Sequence, residues 1–148
     1  MREYIKKYSE QFGIPEGLIC AIIQVESSQN PYAIRYEPNY KYLHQPEHYS
    51  KKHLVSFDTE VNAQKTSWGP MQVMGGTARW LGFDKSYLSQ LLEPEFGLYY
   101  GAMYLKKQYD KYQDWTAAIV AYNAGSAQKI DGVYANQSYV DKVLQNWR

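Results

Sequence analysis

The sequence predicts an all-α domain, because apolar residues recur at helical spacing along the chain while strand-type alternation is nearly absent. The chain has 148 residues, of which 45% are apolar and 21% charged, and this composition fits one soluble globular domain with a sizeable core. Gly and Pro residues separate the helical segments, and neither repeats nor a linker interrupt them. We therefore predict a single domain over residues 1–148.

Two helices are predicted in the first thirty residues. Residues 2–12 place aromatic and aliphatic side chains on one face, and Gly13 ends this helix. Pro15 suits the first turn of a second helix that runs to about Ser27, where Asn30-Pro31 stops the helical pattern. The single cysteine, Cys20, is predicted to pack inside as a small buried hydrophobe.

Residues 35–65 lack a regular pattern. Prolines, histidines and tyrosines predict a long loop with one short helix near residues 46–52. Five of the sixteen tyrosines lie here or just before it, and their flat faces suit stacking on sugars as well as packing within the domain. They are Tyr32, Tyr36, Tyr40, Tyr42 and Tyr49.

The second half reads as a series of helices. A compact turn at residues 69–74 precedes short helices predicted at about 76–81 and 86–90, and Pro94 opens a long helix to about Tyr112. Asp114 is the predicted N-cap of the next helix and Gly125 its end, while Ser138 is the predicted N-cap of a last helix to Trp147.

The charge pattern excludes several function classes. The net charge is +1 and no block of like charge stands out, which argues against nucleic-acid binding. No apolar stretch is long enough to span a bilayer, and the N-terminus is too polar for a signal peptide. We expect a monomer made in the bacterial host cytoplasm, without membrane insertion and without a metal or other cofactor.

Glu26 is the first candidate for chemistry. It ends the apolar run at residues 18–25, and a carboxyl group at the end of an apolar helix is partly desolvated. Desolvation disfavours the charged form and raises the pKa. A carboxylic acid that keeps its proton near neutral pH can act as a general acid.

Three short blocks accompany this glutamate, and a fourth closes the chain. They read Glu26-Ser27-Ser28-Gln29-Asn30-Pro31, Ser67-Trp68-Gly69-Pro70-Met71-Gln72-Val73, Ala121-Tyr122-Asn123-Ala124-Gly125 and Tyr139-Val140 with Val143. Their order and spacing resemble the soluble lytic transglycosylase domain, which belongs with goose-type lysozymes in one glycoside hydrolase family. The resemblance covers nearly the whole chain.

The resemblance implies a lysozyme-like helical fold that cleaves the β-1,4 bond between N-acetylmuramic acid and N-acetylglucosamine in peptidoglycan glycan strands. It implies that Glu26 is the general acid and base. It also implies that a group of neighbours lines the cleft and contacts the substrate, with the tyrosine close enough to hydrogen-bond the glutamate. These neighbours are Ser27, Gly69, Met71, Gln72, Tyr122 and Asn123.

The residue types support these roles independently. A glycosidic oxygen leaves poorly until it is protonated, so an acid such as Glu26 is needed. The amide of Gln72 offers donors and an acceptor to sugar hydroxyls, and Gly69 allows the backbone to approach a ligand closely. Met71 taken alone is also a typical core residue, and Asn123 suits a local hydrogen bond at a helix end.

The insertion at about 35–65 departs from the family pattern, as does Pro70 in place of the usual leucine. The insertion brings acids that a transglycosylase does not need. An inverting lysozyme requires a second carboxylate roughly 6.5–9.5 Å from the first to activate water. Glu60 is the candidate for that carboxylate, and its alternative role is a solvated loop acid.

Transglycosylation that leaves 1,6-anhydro ends is the preferred prediction, and hydrolysis of the same bond is the alternative. A glycan-binding module without catalysis is a third possibility, against which the intact Glu26 argues. His44 and His48 match an inverted zinc-peptidase motif, but Pro46 between them disrupts the helix that the motif requires.

We expect the protein to act on the cell wall, in the periplasm or at the cell surface. It could be a phage lysis enzyme, a virion or secretion-system component, or a domain of a longer exported protein.

Overall fold

The computed structural model describes residues 1–148 and confirms the all-α class. Eight α-helices and one 3-10 helix make up most of the chain. The α-helices are α1 (Arg2–Phe12), α2 (Glu16–Ser27), α3 (Pro46–His53), α4 (Phe57–Gln64), α5 (Gly75–Trp80), α6 (Pro94–Tyr112), α7 (Trp115–Ala124) and α8 (Gln137–Asn146), and the 3-10 helix is Leu88–Leu92.

Two small antiparallel sheets were not predicted. The first has three strands in the order β1 (Ile34–Tyr36), β2 (Thr66–Trp68) and β3 (Val73–Met74). The second is a hairpin of β4 (Lys129–Ile130) and β5 (Val133–Tyr134). Strands of two or three residues are too short to show alternation in a sequence, which explains why the sequence did not reveal them.

The core forms where α2 and α6 meet their neighbours. Helix α2 packs on α8, and α6 packs on both α1 and α7. Leu18 and Ile22 of α2 are fully buried, as are Ala102 and Leu105 of α6. The prediction for Cys20 is wrong. Cys20 lies on the exposed face of α2, and the buried residues of that helix lie on the opposite face.

Two of the predicted helix-end signals are confirmed around α7, and the one predicted for α8 is wrong. Asp114 accepts a hydrogen bond from the backbone N–H of Ala117 at 2.8 Å, as expected of an N-cap. Gly125 ends α7 in the left-handed region at φ 86°. The predicted N-cap Ser138 is wrong, because α8 begins at Gln137 and Asn136 occupies the N-cap position.

The insertion is more regular than predicted. The short helix near residue 46 is confirmed as α3, but β1 and α4 were missed. Ser56 caps α4 by accepting from the N–H of Thr59 at 3.0 Å. The two ends of the insertion meet, since the N–H of Glu37 donates to the carbonyl of Lys65 at 2.8 Å. No helix is both long enough and apolar enough to cross a bilayer.

Candidate active site

A cleft of about 1310 Å³ opens beside the end of α2. The insertion and the turn between β2 and β3 form one wall, and α6 and the end of α7 form the other. Its lining includes Glu26, Arg35, Glu37, Tyr40, Tyr42, Gln72, Trp80, Tyr104, Lys107, Asp110, Lys111, Tyr122 and Asn123.

Glu26 lies in the last turn of α2, directly after the apolar residues of that helix, and it lines the cleft. Burial raises the pKa of Glu26 from 4.5 to about 7, and the positive charge of Arg35 opposes part of this rise. The side chain is therefore close to half protonated at neutral pH. Such a carboxyl group can give up a proton and take one back within a single reaction.

The tyrosine predicted to bond Glu26 has another partner. Tyr122 is buried, and its hydroxyl donates to the carbonyl oxygen of Met71 at 2.6 Å. Its only proton is therefore committed to the backbone of the β2–β3 turn, so a hydrogen bond between the two side chains would have to run from the protonated Glu26 to the phenol oxygen. The pKa of Tyr122 is raised well above its ordinary value, chiefly by burial and next by the charge of Glu26.

Tyr139 is a better candidate for that contact, and sequence reasoning assigned it no role. Its hydroxyl is buried and has no hydrogen-bond partner in the chain. Burial and then the charge of Glu26 raise the pKa of Tyr139, which indicates that the two side chains are neighbours. A free hydroxyl next to the carboxyl group can orient it by a hydrogen bond.

Gln72 lines the cleft, and its side-chain amide hydrogen-bonds other residues of the cleft wall. Its Nε2 donates to the carbonyl oxygens of Ala33 at 3.0 Å and Gly69 at 2.9 Å. Its Oε1 accepts from the hydroxyl of Ser67 at 2.7 Å. Both amide hydrogens are used within the protein, so the second lone pair of Oε1 is the part of the amide left for a sugar hydroxyl. The substrate contact of Gln72 stays a prediction.

Three predicted substrate contacts do not line the cleft. The hydroxyl of Ser27 donates to the carbonyl of Ile23 at 3.0 Å. Gly69 approaches protein rather than ligand, since a Cβ there would lie 2.7 Å from the carbonyl oxygen of Leu91. The side chain of Met71 is fully buried in the core, and only its carbonyl serves the site, through Tyr122.

Glu60 is neither a cleft residue nor a solvated loop acid. It lies in α4 with 2% exposure, and Arg79 of α5 donates to its Oε1 from Nη2 at 2.5 Å. The same guanidinium donates from Nη1 to the carbonyl oxygens of Phe83 and Lys85 at 2.9 and 2.8 Å. The carboxylate of Glu60 is thus held by a buried cation and does not face the cleft of Glu26.

The remaining acids of the cleft are also paired. Glu37 bonds Arg35 at 2.9 Å, and Asp110 bonds Lys106 at 2.9 Å. Asn123 makes a hydrogen bond to another helix rather than a local one, because its Oδ1 accepts from Nδ2 of Asn136, the N-cap residue of α8, at 2.9 Å.

The tyrosine cluster divides into three groups. Tyr40 and Tyr42 line the cleft with their rings edge to face, 5.7 Å apart. Tyr49 is buried beside Arg79. Tyr32 and Tyr36 are exposed outside the cleft.

The histidines of the zinc-type motif are separated by the start of α3. Pro46 occupies the first turn of that helix, so His44 lies outside it. Nε2 of His53, the third histidine of the chain, lies within hydrogen-bond distance of Asp84 at 3.0 Å. No group of three metal-binding side chains occurs in the chain.

Comparisons with known proteins identify a family and several relatives. The family profile described as Transglycosylase SLT domain matches residues 3–144. A transglycosylase of Enterobacteria phage PRD1 is 27% identical over 97% of this chain and 42% of its own length. Membrane-bound lytic murein transglycosylase C is 30% identical in Edwardsiella ictaluri, over 84% of this chain and 31% of the relative.

The same enzyme of Pectobacterium atrosepticum is 31% identical over 82% of this chain and 30% of its own length. The chain therefore spans less than half the length of these relatives. No solved structure gives a significant match. Because the family profile spans nearly the whole chain, this protein belongs to the transglycosylase SLT domain family.

Proposed function

We propose that this domain is a peptidoglycan lytic transglycosylase that cleaves the β-1,4 bond between N-acetylmuramic acid and N-acetylglucosamine. The observation that carries the proposal is Glu26, a carboxyl group with a pKa of about 7 that lines a cleft of about 1310 Å³. Membership of the family and the names of the murein-cleaving relatives support it.

Glu26 acts twice in the proposed reaction. Its protonated form donates a proton to the glycosidic oxygen, and the bond from that oxygen to the muramic carbon breaks. The substrate's N-acetyl group stabilises the positive charge that develops on the sugar. The Glu26 carboxylate then takes the proton of the sugar's 6-hydroxyl, whose oxygen closes the 1,6-anhydro ring, so the acid is restored without water.

The pairing of the other acids favours this route over hydrolysis. Hydrolysis with inversion needs a second free carboxylate roughly 6.5–9.5 Å from the acid. Glu60 is buried against Arg79, and Glu37 is bonded to Arg35. We also propose that the domain works on the cell wall as a monomer, since one chain provides the whole cleft.

Product analysis tests the proposal directly. Purified peptidoglycan digested by the domain is expected to release muropeptides with 1,6-anhydro ends, which mass spectrometry separates from hydrolytic products because they are lighter by one water. Reducing ends in their place would show a lysozyme of the same fold. The absence of any cleavage would refute both.

The pH profile of activity should follow the protonation of Glu26. Because the acid must carry its proton to begin the reaction, kcat/KM is expected to fall about tenfold per pH unit above pH 7. Arg35 lowers the pKa of Glu26, so Arg35→Gln should move this fall to higher pH. Release of cleavage products from pH 5 to 9 measures the profile. The exposed Arg2→Gln on α1 is the control, and a fall at the same pH in Arg35→Gln would contradict the assignment.

A further inference from the structure

Two lysines of α6 face the cleft without an acidic partner. Lys107 and Lys111 both line the cleft and are exposed. They are four residues apart on one helix, which places them about 6 Å apart along its axis and on the same face. Neither takes part in an ion pair, whereas the neighbouring Lys106 bonds Asp110 at 2.9 Å.

The other charges of the cleft balance each other. Arg35 and Glu37 form one pair at 2.9 Å, and the carboxylate of Asp110 is taken by Lys106. Glu26 carries at most one negative charge, in the part of the cleft formed by the end of α2. The α6 wall therefore presents two positive charges that no side chain of the cleft neutralises.

An aromatic ring lies under each ammonium group. Nζ of Lys107 is 5.3 Å from the centre of the Trp80 ring, and Nζ of Lys111 is 5.1 Å from the centre of the Tyr112 ring. Trp80 itself lines the cleft and is 56% exposed. The contact with Trp80 holds Lys107 beside the cleft, and neither aromatic ring cancels the charge of its lysine, so both remain available to an anion.

The two lysines repel each other and so destabilise α6, and an anionic ligand bound between them would remove this repulsion. Like charges four residues apart on a helix destabilise it slightly. A glycan backbone offers hydroxyl and N-acetyl groups, which do not require two cations. The anionic groups of a stem-bearing strand are the free carboxylates of its peptide stems.

We infer that Lys107 and Lys111 bind a carboxylate of the peptide stem, so that the domain prefers glycan strands with charged stems. The inference rests on the proposed function and names the part of peptidoglycan that the α6 wall recognises. Charges at the rim of a binding site act mainly on association and on its salt dependence. The effect should therefore appear in KM and leave kcat unchanged.

A comparison of two matched substrates tests the inference. Purified glycan strands with free stem carboxylates are compared with the same strands after carbodiimide and ammonium have converted those carboxylates to amides. The wild-type domain is expected to show a KM about 5- to 10-fold higher on the amidated strands, as two exposed charge contacts would give. High salt should reduce this difference.

The double variant Lys107→Gln/Lys111→Gln should have one KM on both substrates, equal to the wild-type value on amidated strands. Lys51→Gln/Lys142→Gln removes two exposed lysines outside the cleft and should behave as wild type. Equal wild-type KM values on the two substrates would overturn the inference, as would a double variant that still discriminates between them. Glu26-dependent release of 1,6-anhydro ends from unmodified strands would still stand in that case, so the two proposals fail separately.

Discussion

Glu26→Gln is expected to lower the turnover of peptidoglycan by about 10²- to 10⁴-fold, because an amide cannot donate the proton that the glycosidic oxygen needs. The substitution keeps the size of the side chain, and the cleft should bind glycan as before. Release of 1,6-anhydro muropeptides per unit time measures the effect. Glu10→Gln on the exposed face of α1 is the control. A Glu26→Gln domain with a tenth or more of the wild-type rate would remove Glu26 from the mechanism.

The same variant should be more stable than the wild type at alkaline pH. Burial raises the pKa of Glu26 from 4.5 to about 7, so between these values the unfolded chain releases a proton that the folded chain keeps. The free energy of unfolding of the wild type therefore falls across this window and levels off above pH 7.

At pH 8 Glu26→Gln should exceed the wild type by about 2–3 kcal/mol, and below pH 4 the two should converge. Urea denaturation at the two pH values measures the difference. Gained stability together with lost activity would show that this side chain is held in the fold for its chemistry. An equal difference at both pH values would argue against a raised pKa.

Arg79→Met is expected to lower the free energy of unfolding by about 3–5 kcal/mol, because it leaves the buried carboxylate of Glu60 without its partner. Arg79 has no exposed side-chain surface, and its guanidinium also lies 4.5 Å from the centre of the Tyr49 ring. Two backbone carbonyls lose their donor as well. Thermal or urea denaturation measures the loss.

The double variant Glu60→Leu/Arg79→Met should recover most of this loss, because it removes both buried charges and restores apolar contacts. If Glu60→Leu/Arg79→Met were as unstable as Arg79→Met, packing around the guanidinium would explain the loss. A decrease below 1 kcal/mol in Arg79→Met would show that the pair is open to water.

Helices were predictable where at least one end carries a local signal. The bounds of α1 were predicted from the glycine that follows it, and those of α6 from Pro94 at its first turn. Ser138 was a wrong N-cap because the choice among neighbouring polar residues depends on tertiary contacts. Asn136 is held in place by Val120 and Asn123 of α7.

The site was predictable only in its local part. Glu26 follows from the position of a single acid at the end of an apolar run, which is a short-range feature. The roles of Glu60 and Tyr139 depend on what lies next to them in space. Arg79 is 19 residues from Glu60, and Tyr139 comes from the last helix. Spacing along a chain does not reveal whether an acid has a buried cation beside it.

The exposed face of α2 shows a case in which more could have been read from the sequence. Residues 18, 19, 21, 22 and 23 of α2 are buried and Cys20 is exposed. Helical spacing places a residue two positions after Leu18 on the far side of the helix. Position on the helix, rather than amino-acid type, therefore determines the exposure of Cys20.

The closed base of the insertion has a consequence for protein engineering. Because β1 pairs with β2, and Glu37 hydrogen-bonds Lys65, residues 37–65 leave and rejoin the domain at neighbouring points. Such a segment can be exchanged for one of different length at a small cost in chain entropy. A transplant to a related domain would have to bring an arginine at the position of Arg79 for its own Glu60. With that arginine included, residues 37–65 can be exchanged as a unit. The exchange would change one wall of the cleft and with it the preference for glycans.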